Sequence, residues 1–285
     1  MTSIRLLNIA VITLISVAFT TKKPNGRLPK EIRHQYSYVP GGTMDNGGVE
    51  VKVGSYFMKH LEVTNGEYLE FIEELERTGN TKLLKVALPD TAAWRMNNSI
   101  NEPFVIHYFR HKAYRNYPVV CVSYAGALAW CDWKSQKASE NTSVKEYHAF
   151  YRLPTKQEWI MAAMNDHPKS VYSWGGAEIN NVKGCALCNF RQTPEDTGAD
   201  PSRPFVHDDN ADITAPVMSY SPNNWGFYNM NGNVAEMISE KGIAMGGSWN
   251  SPKDQVTNTS KMSYEGGSPM IGFRPVVVYI MPLVD

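Results

Sequence analysis

The chain has 285 residues, of which 42% are hydrophobic and 20% charged, a composition typical of a globular protein with a full core. Lysine plus arginine and aspartate plus glutamate number 28 each, so no overall field attracts nucleic acid or an anionic membrane. The 21 glycines, 17 prolines and many aromatic residues predict a loop-rich domain with aromatic side chains in an irregular core.

The first 23 residues have the pattern of a secretory signal peptide. Arg5 precedes an uncharged, mostly apolar run of fourteen residues from Leu6 to Phe19. This run is too short for a membrane-spanning helix, which needs about 20 residues, and it fits the apolar part of a signal peptide. A buried N-terminal strand or helix is the alternative. We expect export with cleavage near residues 18–23, then a flexible lead-in over residues 24–35.

A hairpin and a first helix are predicted next. Residues 38–54 alternate short apolar runs with glycine turns, which favours a hairpin. Thr64 and Glu67 form a capping-box pattern, and Gly79 supplies a helix stop. The apolar residues between these signals recur at helical spacing on one face: Tyr68, Phe71, Ile72 and Leu75.

Two further helices are predicted before the chain becomes turn-rich. Ser123 begins the first, and Thr155 begins the second with Glu158 completing a capping box. The inward residues are predicted to be Tyr124, Ala127, Leu128 and Cys131 in the first, and Trp159, Ala162 and Ala163 in the second. From Tyr172 onward the pattern indicates turns and short strands.

Short segments in a fixed order resemble the formylglycine-generating enzyme (sulfatase-modifying factor) family. They are YVPGGTM (38–44), MKHLEVTNGEYLEFI (58–72), YPVVCVSYAGALAWCDW (117–133), YRLPTKQEWIMAA (151–163), GFYNMNGNVAEM (226–237), AMGGSWN (244–250) and GFRPV (272–276). The resemblance implies an α+β fold: one loop-rich domain over residues 36–285, related to the C-type lectin fold.

A narrower similarity points to one branch of that family. LPDTAAWR (88–95), residues 101–120 and CNF (188–190) look like the formylglycine-enzyme-like lipoproteins of gliding motility and type IX secretion in Bacteroidetes. The chain departs from them because no lipoprotein cysteine follows the apolar run and it ends just after the domain. The similarity implies an envelope component in the periplasm or at the outer membrane.

The catalytic thiols of the family are missing from the matching places. Family members that perform the oxidation that generates formylglycine carry two cysteines after GGSW. At those two places this chain has Ser251 and Val256, and no cysteine follows Cys188. Copper(I) prefers sulfur ligands, so no copper is expected. A serine-based triad would need a nearby histidine, and the last one is His207. We expect a domain without catalytic residues.

Two calcium sites are implied by the resemblance. In the first, Asn229 and Glu236 would supply side-chain oxygens, and Gly232 and Val234 backbone carbonyls, as calcium prefers. A glycine turn with locally capping side chains is the alternative. The second would use Asn189, Phe190, Asp209 and Ala211, with Asp208 and Asp212 as substitutes, and a solvated acidic loop competes with it.

A partner-binding surface is predicted between GGSWN and GFR, over residues 250–270. In catalytic relatives this interval lines the peptide cleft. Here it is polar and turn-forming, with Met262 and Tyr264 as apolar side chains at its centre and Ser251 at its start. Such a loop suits recognition, although a solvated loop without a partner is the alternative.

The remaining candidates have structural interpretations. Cys185 and Cys188 form a CxxC that could be structural, a disulfide or half of a zinc site, and Cys131 fits a buried thiol. His107 and His111 are four residues apart, which could place both on a metal, but no third ligand is evident. Arg274 is predicted to anchor the C-terminal strand by charge-assisted hydrogen bonds.

Three functions remain open from sequence. The first is an exported, non-catalytic binding or assembly component with an envelope or secretion-system protein as partner, no nucleic acid and no transmembrane span. The second is an active family enzyme, either a formylglycine-generating oxidase or an iron-dependent protein like the sulfoxide synthases. The third is a C-type-lectin-like ligand receptor.

Overall fold

The computed structural model describes residues 29–45, 47–96, 101–140, 148–193 and 213–280. The helices in these ranges are α1 (Lys30–Gln35), α2 (Asn65–Thr78), α3 (Thr81–Ala87), α4 (Glu102–His107), α5 (Tyr124–Glu140) and α6 (Lys156–Met164). The strands are β1 (Tyr36–Val39), β2 (Gly42–Asp45), β3 (Glu50–Val53), β4 (Tyr56–Lys59), β5 (His148–Arg152), β6 (Ala235–Met237), β7 (Ile243–Met245), β8 (Lys261–Ser263), β9 (Ile271–Phe273) and β10 (Val276–Ile280).

The strands form three sheets. The first is antiparallel in the order β1-β4-β10-β5, with Tyr36 opposite Lys59 and Val276 opposite Arg152. The second is the β2-β3 hairpin, which confirms the hairpin predicted between residues 38 and 54. The third has the order β8-β7-β6-β9, and its β6-β9 pair is parallel.

The first sheet is covered on both faces. Successive side chains of a strand point to opposite sides, and all four residues of β4 are buried. Phe57 joins the main core beside Tyr68 of α2 and Trp130 of α5, whereas Met58 joins a second core with Trp159 of α6. The sheet therefore lies between α2 and α5 on one side and α6 on the other.

Both predicted capping boxes are present. In α2, Thr64 Oγ1 accepts the Glu67 backbone N–H at 3.2 Å and the Glu67 carboxylate accepts the Thr64 N–H at 2.9 Å. In α6, Thr155 and Glu158 make the same reciprocal bonds. Gly79 ends α2 in the left-handed conformation with φ of 68°. The apolar face predicted for α2 is buried along its whole length.

Helix α5 departs from the prediction at one position. Ser123 Oγ accepts the Gly126 N–H at its start, as an N-terminal residue should. Ala127 and Cys131 are buried as predicted, but Leu128 is 37% exposed and Trp130 is buried instead. The buried side of the helix therefore includes Trp130, whose ring packs against the rings of Phe273 and Trp133.

The lead-in predicted to be flexible ends in ordered structure. Helix α1 occupies residues 30–35, and Ile32 is 1% exposed within the main core. Glu31 forms an ion pair with Lys134 of α5 at 2.8 Å. One apolar side chain and one ion pair therefore fix a segment that its polar composition made look mobile. Residues 1–28, with the predicted signal peptide, lie outside the described ranges.

No helix within the described ranges is long and apolar enough to cross a membrane.

Candidate functional site

A buried ion pair lies where the chain passes from the third sheet to the first. Arg274 follows β9 and precedes β10, and its Nη2 lies 2.6 Å from Glu236 Oε1. The guanidinium also donates to the carbonyl oxygens of Lys59 at 3.1 Å, Tyr228 at 2.6 Å and His60. Burial would lower the pKa of Arg274, but Glu236 raises it above its usual range. Arg274 thus anchors the C-terminal strands, as predicted.

The Glu236 carboxylate accepts hydrogen bonds from three N–H groups of the protein. Oε1 accepts Arg274 Nη2 and Nε, while Oε2 accepts Arg274 Nε at 3.0 Å and Trp159 Nε1 at 2.7 Å. Both oxygens are therefore satisfied by protein donors inside the core.

Glu62 is a second buried acid, and sequence reasoning missed it. Its carboxylate accepts Asn233 Nδ2 at 2.8 Å and Asn229 Nδ2 at 3.1 and 3.2 Å. Burial raises its pKa to about 7, although the Arg274 charge acts in the opposite direction. The available signal was a glutamate directly before the buried Val63, which alone does not distinguish it from a solvated residue.

His60 and Ser37 link β1 to the loop that precedes Phe227. Ser37 Oγ lies 3.0 Å from His60 Nε2 and donates to the Trp225 carbonyl at 2.5 Å. Burial, Arg274 and Lys59 together lower the pKa of His60. The histidine therefore favours its neutral form beside the two cations.

The asparagine-rich turn predicted as a calcium loop requires glycine at position 232. Asn229, Gly232 and Asn233 all have positive φ, of 51°, 75° and 60°. A Cβ on Gly232 would lie 2.2 Å from the Asn189 carbonyl oxygen, which also accepts the Asn233 N–H at 2.7 Å. The turn is thus pressed against Asn189, so parts of both predicted calcium sites are neighbours.

The side chains of the first predicted calcium set differ in how many protein donors already reach their oxygens. Asn229 Oδ1 is buried and has no hydrogen-bond partner among the described residues, and a hard cation would satisfy such an oxygen. Glu236, by contrast, already accepts hydrogen bonds from Arg274 and Trp159. Val234 is buried beside the turn. A cation here would use Asn229 and backbone carbonyls, and Glu236 would bind it through the acceptor capacity that its three N–H donors leave.

The second predicted set is only partly described. Asn189 Oδ1 is also buried, with no partner in the part of the chain that the structure describes, while its Nδ2 donates to the Ile213 carbonyl at 2.8 Å. Phe190 is fully buried. Asp208, Asp209, Ala211 and Asp212 lie outside the described residues. Within the described ranges, no three histidine, cysteine, aspartate or glutamate residues form a metal-binding group.

Ser251 and Val256 both lie inside the protein. Ser251 is 2% exposed, and its Oγ accepts the Ser248 N–H at 3.1 Å and lies 3.2 Å from Ser248 Oγ. Val256 is fully buried in an apolar cluster with Cys188 and Phe190. The expectation that Ser251 belongs to a binding surface is therefore corrected, because its hydroxyl closes an internal turn.

Met262 and Tyr264 also point inward. Both are half-buried and pack against the main core, and burial raises the pKa of Tyr264 to about 12. The alternate residues Lys261, Ser263 and Glu265 are exposed, as strand alternation requires. The exposed side of this stretch is therefore formed by the residues that alternate with Met262 and Tyr264, and not by the predicted pair itself.

The cysteines and the histidine pair do not assemble into a site. All four cysteines are free thiols, with Cys185 exposed and the other three buried. Burial raises the pKa of Cys121, Cys131 and Cys188. The rings of His107 and His111 lie 5.7 Å apart at their centres, edge to face, on an exposed segment.

The described residues define a loop-rich, mixed helix and sheet domain whose sheets meet at a buried Glu–Arg pair. Residues 21–278 match the Sulfatase-modifying factor enzyme 1-like domain, and the chain belongs to that family. This confirms the fold class and the family assigned from sequence.

The chain is similar to relatives that are named as enzymes and to relatives that are named as inactive. The formylglycine-generating enzyme of Thermomonospora curvata is 25% identical over 287 residues, covering 86% of this chain and 83% of the relative. The inactive C-alpha-formylglycine-generating enzyme 2 of Bos taurus is 24% identical over 271 residues, covering 82% and 81%. Membership of the family therefore does not decide whether the chain is an enzyme.

A solved structure agrees on the fold. PvdO from Pseudomonas aeruginosa superposes with a TM-score of 0.53 at 18% identity, covering 84% of this chain and 92% of that one.

Proposed function

We propose that this chain is an exported, non-catalytic member of the family that acts by binding or assembly in the cell envelope. The observation that carries the proposal is the lack of any cysteine after Cys188, in the region where members that oxidise sulfatases resemble this chain but carry two thiols. Ser251 and Val256 stand at those places.

The surroundings of Ser251 and Val256 support the proposal. The Ser251 hydroxyl is held by Ser248, and Val256 is enclosed by apolar side chains. The one thiol in that apolar cluster is Cys188, and burial raises its pKa. Because the thiolate is the nucleophile and the metal ligand, Cys188 is poorly suited to replace the missing pair.

Calcium is proposed as a structural ion at the turn formed by residues 229–236. The buried side-chain oxygens of Asn229 and Asn189 support this, because neither has a partner among residues 29–45, 47–96, 101–140, 148–193 and 213–280 and each needs a hydrogen-bond donor or a cation. Calcium would supply positive charge to these oxygens and hold the turn against residues 189–190. No copper is part of the proposal.

The envelope assignment rests on sequence features. The apolar run of residues 6–19 supports export to the periplasm or to the outer membrane. The segments 88–95, 101–120 and 188–190 support a relationship with gliding-motility and type IX secretion lipoproteins. The proposed partner is accordingly an envelope or secretion-system protein, contacted in part by the exposed residues of the interval 250–270.

The experiment measures conversion of a sulfatase-type cysteine peptide to formylglycine by mass spectrometry. The protein is treated with copper(I) and compared with the Thermomonospora curvata enzyme as a positive control. We expect no turnover above a protein-free sample. Clear turnover by this protein would overturn the proposal and establish an enzyme with other ligands.

A matched variant tests the reason given. Ser251→Cys with Val256→Cys restores two thiols at the proposed places, and it is expected to bind copper(I) where the unaltered chain does not. Single substitutions serve as controls because one thiol cannot form the pair. If the unaltered chain binds copper(I) as tightly as the double variant, another thiol fills the role.

A further inference from the structure

The segment from Pro103 to Tyr117 carries three cations, Arg110, Lys112 and Arg115, on a protein whose formal net charge is zero with histidine counted as neutral. Five of the nine residues from His107 to Arg115 are histidine, arginine or lysine, and no acid occurs between Pro103 and Tyr117. All five side chains are exposed, and we call them the basic patch: His107, Arg110, His111, Lys112 and Arg115. The balanced overall charge therefore conceals a basic surface.

An exposed apolar side chain lies beside the basic patch. Helical hydrogen bonding continues past α4, since the Tyr108 N–H donates to the Phe104 carbonyl at 3.0 Å and the His111 N–H to the His107 carbonyl at 2.9 Å. Residues three and four apart therefore share a face. Ile106 is 65% exposed and lies on the face of Arg110. This face therefore carries the aliphatic side chain of Ile106 next to the cationic side chain of Arg110.

Hydrogen bonds from the start of α2 hold the backbone of this segment. Asn65 Nδ2 donates to the carbonyls of Tyr108 and Tyr114, each at 3.0 Å. The Gly66 N–H donates to the Arg115 carbonyl at 2.9 Å, and the Asn65 N–H to the Tyr117 carbonyl at 2.9 Å. The start of α2 therefore fixes the backbone of the basic patch, so binding would not require the segment to become ordered first.

Among the described residues, one ion pair involves the basic patch. Arg110 pairs with Glu76 at 2.9 Å, but both side chains are about half exposed, at 50% and 42%, and such surface pairs are weak. In the described part of the chain, neither Lys112 nor Arg115 takes part in an ion pair. Lys112 and Arg115 therefore carry charges that no described acidic residue pairs, and both side chains are exposed to solvent.

We propose that the basic patch and Ile106 bind the surface of an anionic lipid membrane. Lysine and arginine near such a surface are attracted by its charged headgroups, with about a fivefold gain in partitioning for each residue. Ile106 would enter the boundary between headgroups and acyl chains, as apolar side chains of peripheral proteins do. A soluble polyanion offers the charge but no apolar phase for Ile106. The inference is independent of the proposed function.

The test is sedimentation of the full chain with vesicles of phosphatidylcholine mixed with phosphatidylglycerol, compared with pure phosphatidylcholine. We expect binding to the anionic vesicles that weakens with added salt. Lys112→Glu with Arg115→Glu should lower the partition constant by on the order of 25-fold or more. Lys183→Glu with Lys241→Glu is the control, because it changes the total charge equally on exposed loops elsewhere.

A third variant separates a membrane from a soluble polyanion. Ile106→Ser should weaken vesicle binding while leaving retention on heparin unchanged. All variants keep residues 6–19, so that apolar run contributes equally to each, and melting temperatures confirm folding. Losses in the control pair equal to those of Lys112→Glu with Arg115→Glu would overturn the proposal. An Ile106→Ser variant with full vesicle affinity would indicate a soluble polyanion instead.

Discussion

Glu236 and Arg274 join the first and third sheets through one buried ion pair. Glu236 belongs to β6, while Arg274 lies between β9 and β10 and reaches the carbonyls of Lys59 and His60 at the end of β4. The side chains are 1% and 0% exposed. Because both charges are buried, each depends on the other for its compensation.

We expect Glu236→Gln to destabilise the protein by about 3–5 kcal/mol, the usual cost of leaving one charge of a buried pair uncompensated. Urea unfolding measures the change. Glu236→Gln combined with Arg274→Met should be less destabilised than Glu236→Gln alone, since no unpaired charge remains. A loss below about 1 kcal/mol in the single variant would show that the pair is not needed to join the sheets.

Glu62 should give the stability a measurable pH dependence. Its pKa in the folded protein is raised from 4.5 to about 7, so the folded state holds a proton that the unfolded state has released. The contribution of Glu62 to the free energy of unfolding is present below about pH 4.5 and is lost as the pH rises through 7. Relative to the unaltered protein, Glu62→Gln should therefore gain stability between pH 5 and pH 8, by on the order of a few kcal/mol.

The same measurement has an internal control. His60 has a lowered pKa, so its contribution is present above its unfolded pKa and is lost as the pH falls through the folded one. This opposite dependence is common to the unaltered protein and to Glu62→Gln and cancels in their difference. Parallel pH profiles for the two proteins would show that Glu62 does not titrate in this range.

Calcium should stabilise the folded state. A ligand that binds only the native protein adds about 2.7 kcal/mol at 100 times its dissociation constant. Melting temperatures measured in calcium and in chelator should differ, and Asn229→Ala should reduce the difference because it removes a buried unpartnered oxygen. Asn189→Ala tests the second set separately. A calcium shift that survives both substitutions would place the ion elsewhere.

Gly232→Ala should be more damaging than an ordinary substitution at positive φ. A left-handed alanine costs about 1–2 kcal/mol, and here the added Cβ would also lie 2.2 Å from the Asn189 carbonyl oxygen. Gly184→Ala is the matched control, because its φ is 83° and nothing lies within 4 Å of the added Cβ. Similar losses of melting temperature in both variants would contradict the close packing of the turn on Asn189.

Export should remove the N-terminal segment. We expect the natural protein to begin between residues 18 and 24, because the apolar run behind Arg5 resembles a signal peptide. N-terminal sequencing of the protein from its native cells, together with cell fractionation, measures this. An intact Met1 in a cytoplasmic fraction would contradict the prediction.

Much of the local structure was determined by the sequence itself. The capping residues at Thr64 and Thr155 and the apolar spacing of α2 were sufficient to place helices, because capping and periodicity depend on residues three or four apart. The ordered motifs also identified the family and predicted the role of Arg274.

The surroundings of individual side chains were decided by the tertiary structure. Glu62 meets amides that are 167 and 171 residues away, so its burial and raised pKa depend on contacts that no local pattern records. The inward positions of Ser251, Met262 and Tyr264 depend in the same way on which face of a short strand or turn meets the core. Periodicity shows that a segment has two faces, but only the packing of distant segments decides which one is buried.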